Sequence, residues 1–371
     1  MKQKARGIGL AIVGAGRVGL FRGEVAARHP AVQWIGIAEK NPNRGADVAG
    51  RIGADFVTTD YRELMRRPEV TAALIATDEH LHVDPILAAV ERGVPMLIEK
   101  PLATDLAQSA RVLKAIQDAE LDAIVGYTQR FRRKWLGAKE KVRTGALGDV
   151  TLVTSRAFMN RLVAIDNYKR TDDPATISPM VISGTHALDI VMWYMEKKTP
   201  VECYARSIDK VLGPLCQGID ATAGMIMFSD GSIYHLNISW ALPVTWPGAV
   251  YSLEVGITGT EGVLTIDDTH RDMVLAVSAP QNEGYAPDGR RLVDFMGSYP
   301  PGDMVLGELR GPMADETVSW LNRLALGLPT QAATAAEAHN RLMLTKALDL
   351  SARRKQPVKL PLEPDADLAA A

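Results

Sequence analysis

Residues 8–19 read IGLAIVGAGRVG, an apolar run followed by three spaced glycines. The run Ile8–Val13 predicts a buried parallel strand, and Arg17–Arg28 has the spacing of an amphipathic helix. In such a strand–turn–helix unit the glycines permit a tight turn, close approach of a pyrophosphate and close helix–strand packing. The amide groups of the helix N-terminus then bind phosphates. The stretch therefore predicts a dinucleotide-binding loop made of Gly14, Ala15, Gly16, Arg17, Val18 and Gly19.

The residues after the second predicted strand, Val32–Ala38, bear on which dinucleotide binds. Glu39 follows that strand, 20 residues after Gly19. A carboxylate there accepts hydrogen bonds from the adenosine ribose hydroxyls and repels a 2′-phosphate, which favours NAD. Two nearby cations, Lys40 and Arg44, are able to accommodate the phosphate of NADP. The sequence thus favours NAD and leaves NADP open.

The chain changes its pattern of elements near residue 126. Before it, strands alternate with helices, which predicts a parallel sheet of the Rossmann type. After it, strand-like stretches follow one another with short turns, which predicts a large, mostly antiparallel open sheet. The further predicted strands are Leu74–Ala76, Met96–Ile98, Leu121–Gly126, Val150–Phe158, Val201–Ile208, Ala221–Phe228, Ser232–Ser239, Tyr251–Thr258 and Gly262–Ile266. The further predicted helices are Leu81–Arg92, Thr104–Ala119, Phe131–Thr144, Asp315–Leu326 and Thr334–Arg353.

The expected fold class is therefore α/β, with two domains. Residues 1–126 are predicted to form an NAD(P)-binding Rossmann domain. Residues 127–362 are predicted to form an α/β domain for substrate binding and oligomerisation, with a long surface loop at Gln281–Asp303 that is rich in glycine and proline. A disordered tail is predicted for residues 363–371.

Composition narrows the class of protein further. Hydrophobic residues make up 47% of the 371 residues, charged residues 23%, and the net charge is −2. These values are typical of a globular protein and predict no nucleic-acid or membrane partner. Neither the two cysteines, Cys203 and Cys216, nor the histidines have the spacing of a metal site. We expect a reduced, cytoplasmic protein that binds no metal.

Several later motifs occur in a fixed order along the chain. They are Thr77-x-x-x-x-His82, Glu99-Lys100-Pro101, Gly126-Tyr127-Thr128-Gln129-Arg130-Phe131, Gly145-Ala146-Leu147-Gly148 and Gly259-Thr260-Glu261-Gly262. Together with the glycine-rich loop they cover nearly the whole chain. In this combination the sequence resembles the glucose–fructose oxidoreductase, inositol dehydrogenase and MocA family.

That resemblance implies roles for residues on both sides of the domain boundary. Lys100 is expected beside the nicotinamide, where it orients the substrate oxygen and stabilises its developing charge. Glu99 is expected either to hold Lys100 or to contact the cofactor. Thr77, His82 and Gln129 are further candidate cofactor residues, and Tyr127 is a weak candidate for substrate binding. The open face of the second sheet is expected to form a homo-oligomer, a dimer or a tetramer.

The segment Ser183–Asp189 supplies the candidate base. By resemblance His186 is the general base in alcohol oxidation and the acid in the reverse reaction. Ser183 or Thr185 is expected to cap the helix, which would place His186 in its first turn, near the positive end of the dipole. Asp189 shares a helical face with His186 and is expected to orient it. In polyol dehydrogenases of the family an aspartate precedes this histidine by four residues, whereas this chain has Ile182.

The identity of the substrate stays open. A sugar, cyclic polyol or related carbohydrate derivative is favoured. A cluster of cations, Arg156, Arg161, Lys169 and Arg170, is read either as solvated charge on a strand and loop or as a carboxylate site. The second reading suits a carboxylated ring compound, such as a dihydrodiol or hemiacetal. A redox-neutral, NAD-dependent glycosidase-type enzyme and a non-catalytic NAD-binding module are the remaining alternatives.

Overall fold

The computed structural model describes residues 6–170, 177–243, 250–267, 273–281, 291–296 and 302–363. The chain forms two compact units, one of Met1–Arg132 with Pro301–Asn340 and one of Arg133–Pro300 with Arg341–Ala371. This division differs from the predicted one, since residues 301–340 join the first unit. Trp320 and Leu321 lie in its hydrophobic core, which explains the difference. The proposed tail lies outside the described residues, apart from residue 363.

The elements alternate regularly in the first 126 residues and less regularly afterwards. The first group is β1 (Ile8–Val13), α1 (Arg17–Ala27), β2 (Val32–Ala38), α2 (Pro42–Ile52), β3 (Phe56–Thr58), α3 (Tyr61–Met65), β4 (Ala72–Ile75), α4 (Val83–Arg92), β5 (Met96–Glu99), α5 (Leu106–Asp118) and β6 (Ala123–Gly126). The second group is α6 (Arg133–Arg143), β7 (Val150–Asn160), α7 (Arg161–Arg170), α8 (Thr185–Tyr194), β8 (Pro200–Ile208), α9 (Leu212–Cys216), β9 (Ala221–Phe228), β10 (Ile233–Leu242), β11 (Val250–Gly259), β12 (Val263–Ile266), β13 (Met273–Gln281) and β14 (Arg291–Met296). The last group is β15 (Asp303–Val305), β16 (Glu308–Arg310), α10 (Pro312–Leu326), β17 (Ala333–Thr334), α11 (Ala335–Arg354) and β18 (Val358–Lys359).

The first unit is built on a parallel sheet with the strand order β17-β6-β5-β4-β1-β2-β3. All six residues of β1 are buried, as expected of a central strand covered on both faces. The short β17 pairs antiparallel with β6 at one edge. The strand order reverses between β1 and β4, and ligands of such sheets bind in the crevice outside the carboxyl ends of the strands at this point. The predicted Rossmann fold is confirmed.

The second unit contains a sheet with the order β12-β11-β7-β10-β9-β8-β18. Its described pairs are antiparallel except for β7 with β10, which run parallel. Residues alternate along β9 and β10, with one face buried and the other accessible. The predicted large, mostly antiparallel sheet is therefore confirmed.

Three elements between β2 and β4 had no counterpart in the prediction, namely α2, β3 and α3. Their start and stop signals are nevertheless present in the sequence. The Asn41 side chain caps α2 by accepting from the amides of Asn43 and Arg44, and Gly53 ends it in the left-handed conformation. Asp60 caps α3 in the same way. The buried residues Gly45, Val48 and Ile52 of α2 also have helical spacing, so this helix could have been predicted, whereas α3 is only five residues long and too short for a periodic pattern.

Two predictions for the second half of the chain were wrong. The segment that carries Arg161, Lys169 and Arg170 was predicted as a loop, but it forms α7. Ala164 and Tyr168, four residues apart, bury one face of this helix, and that spacing was the missed signal. The predicted loop at Gln281–Asp303 contains the strand β14, which pairs with β13.

Candidate functional site

The glycine-rich loop has the geometry that a dinucleotide requires. Gly14 has a φ of 92°, and a Cβ there would lie 2.5 Å from the Ala76 carbonyl oxygen. A Cβ on Gly19 would overlap the Gly14 carbonyl oxygen, so α1 packs against the loop only with glycine there. A Cβ on Gly16 would meet nothing within 4 Å, which leaves open space over the backbone amides of the loop. The loop therefore fits the pyrophosphate of a dinucleotide.

Glu39 lies directly beside this loop. Its carboxylate accepts from the Ala15 amide at 2.8 Å and from the Asn41 amide at 3.0 Å. Arg44 donates to the same carboxylate at 2.6 Å. Burial opposes ionisation of Glu39, but these hydrogen bonds and the Arg44 charge hold its pKa below the ordinary value. Glu39 is thus a fixed anion, and it engages the predicted NADP-binding cation Arg44. Lys40 is exposed.

The loop after β4 places Thr77 and His82 differently. The Thr77 hydroxyl is buried and has no hydrogen-bond partner within the described part of the chain, which suits a ligand contact. His82 is completely buried, and its two ring nitrogens lie 2.7 Å from the Pro101 oxygen and 3.1 Å from the Thr77 oxygen. Burial lowers the pKa of His82, although these hydrogen bonds oppose the shift. His82 therefore joins the loops after β4 and β5 and presents no free nitrogen to a cofactor.

The motif Glu99-Lys100-Pro101 stands at the carboxyl end of β5, and its Lys100–Pro101 peptide bond is cis. Lys100 is half-buried. The Glu99 carboxylate accepts from Arg22 Nε at 2.6 Å. Arg22 was not singled out in the sequence, although it lies on the buried face of α1 with Gly19, Gly23 and Ala26. An arginine on the same helical face as these small residues was the signal in the sequence that could have identified Arg22 as buried.

The residues that follow β6 lie inside the first unit. Tyr127 is 1% exposed and belongs to the hydrophobic core, so the structure does not favour its predicted contact with substrate. Gln129 is 3% exposed and its side-chain oxygen accepts from Arg132. Both residues lie at the carboxyl edge of the parallel sheet, where their buried side chains support the candidate site.

The helix that carries His186 begins earlier than predicted. Helical structure starts at residue 179, and a π-helical turn at Met180–Gly184 precedes α8. The proposed cap by Ser183 or Thr185 was therefore wrong, and the Ser183 hydroxyl instead accepts from Trp240 Nε1 at 2.9 Å. His186 is not in the first turn of the helix, which removes the argument from the helix dipole. Among the ten residues of α8, His186 alone is not buried. Its side chain is therefore the accessible one on α8.

The helix residues one turn before and one turn after His186 differ in their surroundings. Ile182 packs against a buried cluster that includes Tyr168 and Trp240. Asp189 is 1% exposed and accepts from Arg341 Nε at 3.2 Å, which ties α8 to α11. This pair favours a structural role for Asp189. Asp172 and Asp173, weaker candidates for the role of the missing family aspartate, lie outside the described residues.

The cations proposed as a carboxylate site have separate partners. Arg156 is paired with Glu254 on the accessible face of the sheet. Arg161 donates to the carbonyl oxygens of Ala241 and Leu242 at the end of β10. Lys169 is exposed, and the side chain of Arg170 lies outside the described residues. The structure therefore does not assemble the cations whose side chains it describes, Arg156, Arg161 and Lys169, into one site.

The described residues contain no group of three His, Cys, Asp or Glu side chains placed to hold a metal ion. None of the helices in the described ranges is long and apolar enough to cross a membrane.

Comparison with protein families agrees with the geometry of both units. Residues 8–127 match the model described as an oxidoreductase family with an NAD-binding Rossmann fold, GFO/IDH/MocA. Residues 135–265 match the GFO/IDH/MocA C-terminal domain. The chain belongs to the GFO/IDH/MocA oxidoreductase family. The resemblance found in the motifs, and with it an NAD-binding first unit, is confirmed.

Individual relatives within the family are distant. Levoglucosan dehydrogenase of Pseudarthrobacter phenanthrenivorans is 29% identical over 38% of this chain, and the match spans only 39% of that enzyme. Myo-inositol 2-dehydrogenase of Thermotoga maritima is 22% identical over 95% of this chain and 98% of its own. The crystal structure of GenD2 from gentamicin A biosynthesis, in complex with NAD, has 21% identity and a TM-score of 0.77, covering 97% of this chain and 98% of that one. At these identities the structural likeness establishes the fold.

Proposed function

We propose that this protein is an NAD-dependent dehydrogenase acting on a hydroxyl carbon of a sugar, a cyclic polyol or a related carbohydrate derivative. The observation that carries the proposal is the pairing of the open loop at Gly16 with the fixed anion of Glu39. Glu39 suits two ribose hydroxyls and repels a 2′-phosphate. Because Arg44 is already held by Glu39, NADP would have to disrupt an ion pair to gain that cation. NAD is therefore the favoured cofactor.

Bound NAD supplies the hydride acceptor for alcohol oxidation. We assign the other steps to two side chains. Lys100 donates a hydrogen bond to the substrate oxygen and stabilises its negative charge as the proton leaves. His186 accepts that proton on a ring nitrogen, and it returns the proton in the reverse direction. Asp189 acts on this reaction through the position of α8, which it anchors to Arg341.

The carbohydrate class is supported by the family and by the partners of the cations that the structure describes in the second unit. The relatives named above act on levoglucosan and on myo-inositol according to their names. A carboxylated substrate requires a cationic site, and the described cations Arg156 and Arg161 have other partners. Ile182, four residues before His186, packs against the buried cluster that includes Tyr168 and Trp240. The aspartate that could bind substrate hydroxyl groups from this position in polyol dehydrogenases of the family is therefore replaced by an aliphatic side chain.

The test is absorbance at 340 nm with purified protein, NAD or NADP, and a panel of sugars, anhydrosugars, polyols and carboxylated ring alcohols. The Lys100→Ala variant runs in parallel. We expect NADH formation with one carbohydrate class and its loss in the variant by about 10²- to 10³-fold. A Lys114→Ala variant is the matched control, because Lys114 lies in an exposed pair with Asp118.

Other outcomes assign other functions. Formation of NADH only with carboxylated compounds would replace the carbohydrate class. Conversion of a glycoside without net NADH would identify a redox-neutral enzyme. Binding of NADH without conversion of any compound, together with an intact biological role in Lys100→Ala, would contradict catalysis and favour an NAD-binding module.

We also infer that the protein forms a homo-oligomer, a dimer or a tetramer, through the accessible face of the second sheet. Large apolar side chains lie on that face, namely Leu152, Met225, Ile233 and Val263. Monomeric proteins rarely expose such residues together. Light scattering after size-exclusion chromatography tests this, and Ile233→Lys should shift the protein toward the monomer.

A further inference from the structure

A buried ionic network lies beneath the carboxyl edge of the parallel sheet. Arg22 is completely buried and donates to Glu99 at 2.6 Å, to Glu316 at 2.6 Å and to the Thr317 hydroxyl at 2.9 Å. All three nitrogens of its guanidinium are therefore engaged. Burial of a cation costs free energy unless its charge is paired and its donors are hydrogen-bonded. These directed hydrogen bonds hold the Arg22 guanidinium in one orientation.

The network touches the ends of several elements that carry the cofactor site. Arg22 belongs to α1, whose N-terminus follows the glycine-rich loop, and Glu99 ends β5 immediately before Lys100. At the end of β6, a Cβ on Gly126 would lie 2.8 Å from an Arg22 nitrogen and 3.2 Å from both Glu99 oxygens. The ion pair therefore fills the space between the ends of β5 and β6.

The strand order indicates which end of the cofactor these residues face. Glu39, at the end of β2, lies on one side of the point where the strand order reverses. The end of β5 lies on the other side. A dinucleotide binds across this crevice. If Glu39 receives the adenosine ribose, the nicotinamide half extends toward Lys100.

We propose that Arg22 is a positioning residue, which clamps the Glu99 carboxylate and so fixes the end of β5 and Lys100 for the nicotinamide half of the cofactor. This inference rests on the proposed function, because it assumes that the first unit binds NAD in this orientation. Glu316, on α10, is the second carboxylate paired with Arg22, and it is not adjacent to Lys100 in the chain. The two carboxylates that pair with Arg22 therefore have separable roles.

A conservative substitution of Glu316 provides the control variant for testing the role of Arg22. Burial raises the pKa of Glu316 to about 7, and the Arg22 charge opposes this shift. A glutamine at this position still accepts the hydrogen bond from Arg22 and resembles the protonated acid. Glu316→Gln leaves the Arg22–Glu99 pair in place. The double variant Arg22→Met with Glu316→Gln removes the clamp without leaving two buried carboxylates.

The experiment is isothermal titration of the full-length wild type, E316Q and R22M/E316Q with NADH and with ADP-ribose, which lacks the nicotinamide. We expect E316Q to bind both ligands within about twofold of the wild type, as for a site that does not couple to the ligand. R22M/E316Q should bind NADH roughly tenfold more weakly, since small misplacements at a site are costly, and ADP-ribose within about twofold. Arg22→Lys in the E316Q background should recover part of the NADH affinity.

The outcomes distinguish failure of the positioning role of Arg22 from failure of the proposed NAD-dependent function. Equal weakening of NADH and ADP-ribose in R22M/E316Q, or no weakening of either, would overturn the positioning role and leave the proposed function standing. A wild type that binds neither ligand would overturn both. If circular dichroism shows that R22M/E316Q is unfolded, R22K/E316Q takes its place; it should bind NADH more weakly than E316Q by a smaller factor than about tenfold, with ADP-ribose binding unchanged, and equal binding of NADH by R22K/E316Q and E316Q would overturn the positioning role.

Discussion

The two units hold the side chains of their candidate sites in different ways. In the first unit the carboxylates at the sheet edge are already paired, Glu39 with Arg44 and Glu99 with Arg22. In the second unit the helix of His186 rests against an apolar cluster that includes Ile182 and Trp240. Among the described residues, the sheet edge of the first unit thus carries prearranged charges, whereas the helix of His186 is held largely by apolar packing.

The proposed division of roles, with cofactor binding in the first unit and proton transfer in the second, is tested most strongly at His186. His186→Gln should lower kcat/KM for oxidation by about 10³-fold, because a general base contributes on this scale. Its affinity for NADH should stay at the wild-type value, since the cofactor contacts belong to the first unit. His235→Gln on the sheet of the second unit is the matched control. Loss of NADH affinity in His186→Gln would break the proposed separation of roles.

A second prediction concerns Asp349, a buried carboxylate in the second unit that accepts from the Ser178 hydroxyl at 2.7 Å. Burial raises its pKa from 3.8 to about 6, with the Ser178 hydrogen bond opposing the shift. The folded state therefore retains a proton that the unfolded chain releases. The stabilisation is fully present below pH 3.8 and is lost as the pH rises through 6.

Asp349→Asn removes this titration. Between pH 4 and pH 8 the stability of the wild type should fall relative to the variant by about 2 kcal/mol, slightly less than the full two-unit shift because the unfolded carboxyl is already largely ionised at pH 4. Urea unfolding at both pH values measures the difference. Asp118→Asn, in an exposed pair with Lys114, should show almost none of it. A pH-independent difference for Asp349→Asn would contradict the assignment.

Selection of the cofactor gives a smaller effect. Glu39→Gln should lower the ratio of NADH affinity to NADPH affinity by about tenfold or more, because it removes the repulsion of the 2′-phosphate and releases Arg44. Titration with both cofactors measures this ratio. Glu24→Gln, which breaks an exposed pair with Arg51, should leave the ratio unchanged. An unchanged ratio in Glu39→Gln would place selectivity elsewhere.

The smallest effect is expected in the hairpin of β15 and β16. Leu306 is fully exposed with a φ of 52°, and Gly307 follows with a φ of 79°. Two successive residues with positive φ form a turn that favours Asn-Gly. Leu306→Asn should therefore stabilise the protein by about 0.5–1 kcal/mol, measured by urea unfolding. Met304→Gln, which is exposed in an extended segment, should change stability by less, and destabilisation by Leu306→Asn would refute the argument.

The sequence predicted the first unit better than the second for physical reasons. The glycines around Gly16, the acid Glu39 and the strand-end Lys100 are local signals, since each follows a buried apolar strand. Arg22 could not be placed, because its partner Glu316 lies almost 300 residues away and only the folded chain joins them. The early start of the His186 helix was missed because Ser183 and Thr185 are residue types that commonly cap helices, and they suggested a later start. The pairing of Arg161 with β10 carbonyls likewise depends on tertiary contacts.

The account is tested most directly by calorimetric titration of the wild-type protein with NADH and with NADPH under the same conditions. A first unit that recognises the adenosine ribose through Glu39 predicts a measurable affinity for NADH and at least about tenfold weaker binding of NADPH. Equal or tighter binding of NADPH would contradict the role assigned to Glu39, and the absence of binding by either would contradict the proposed function itself.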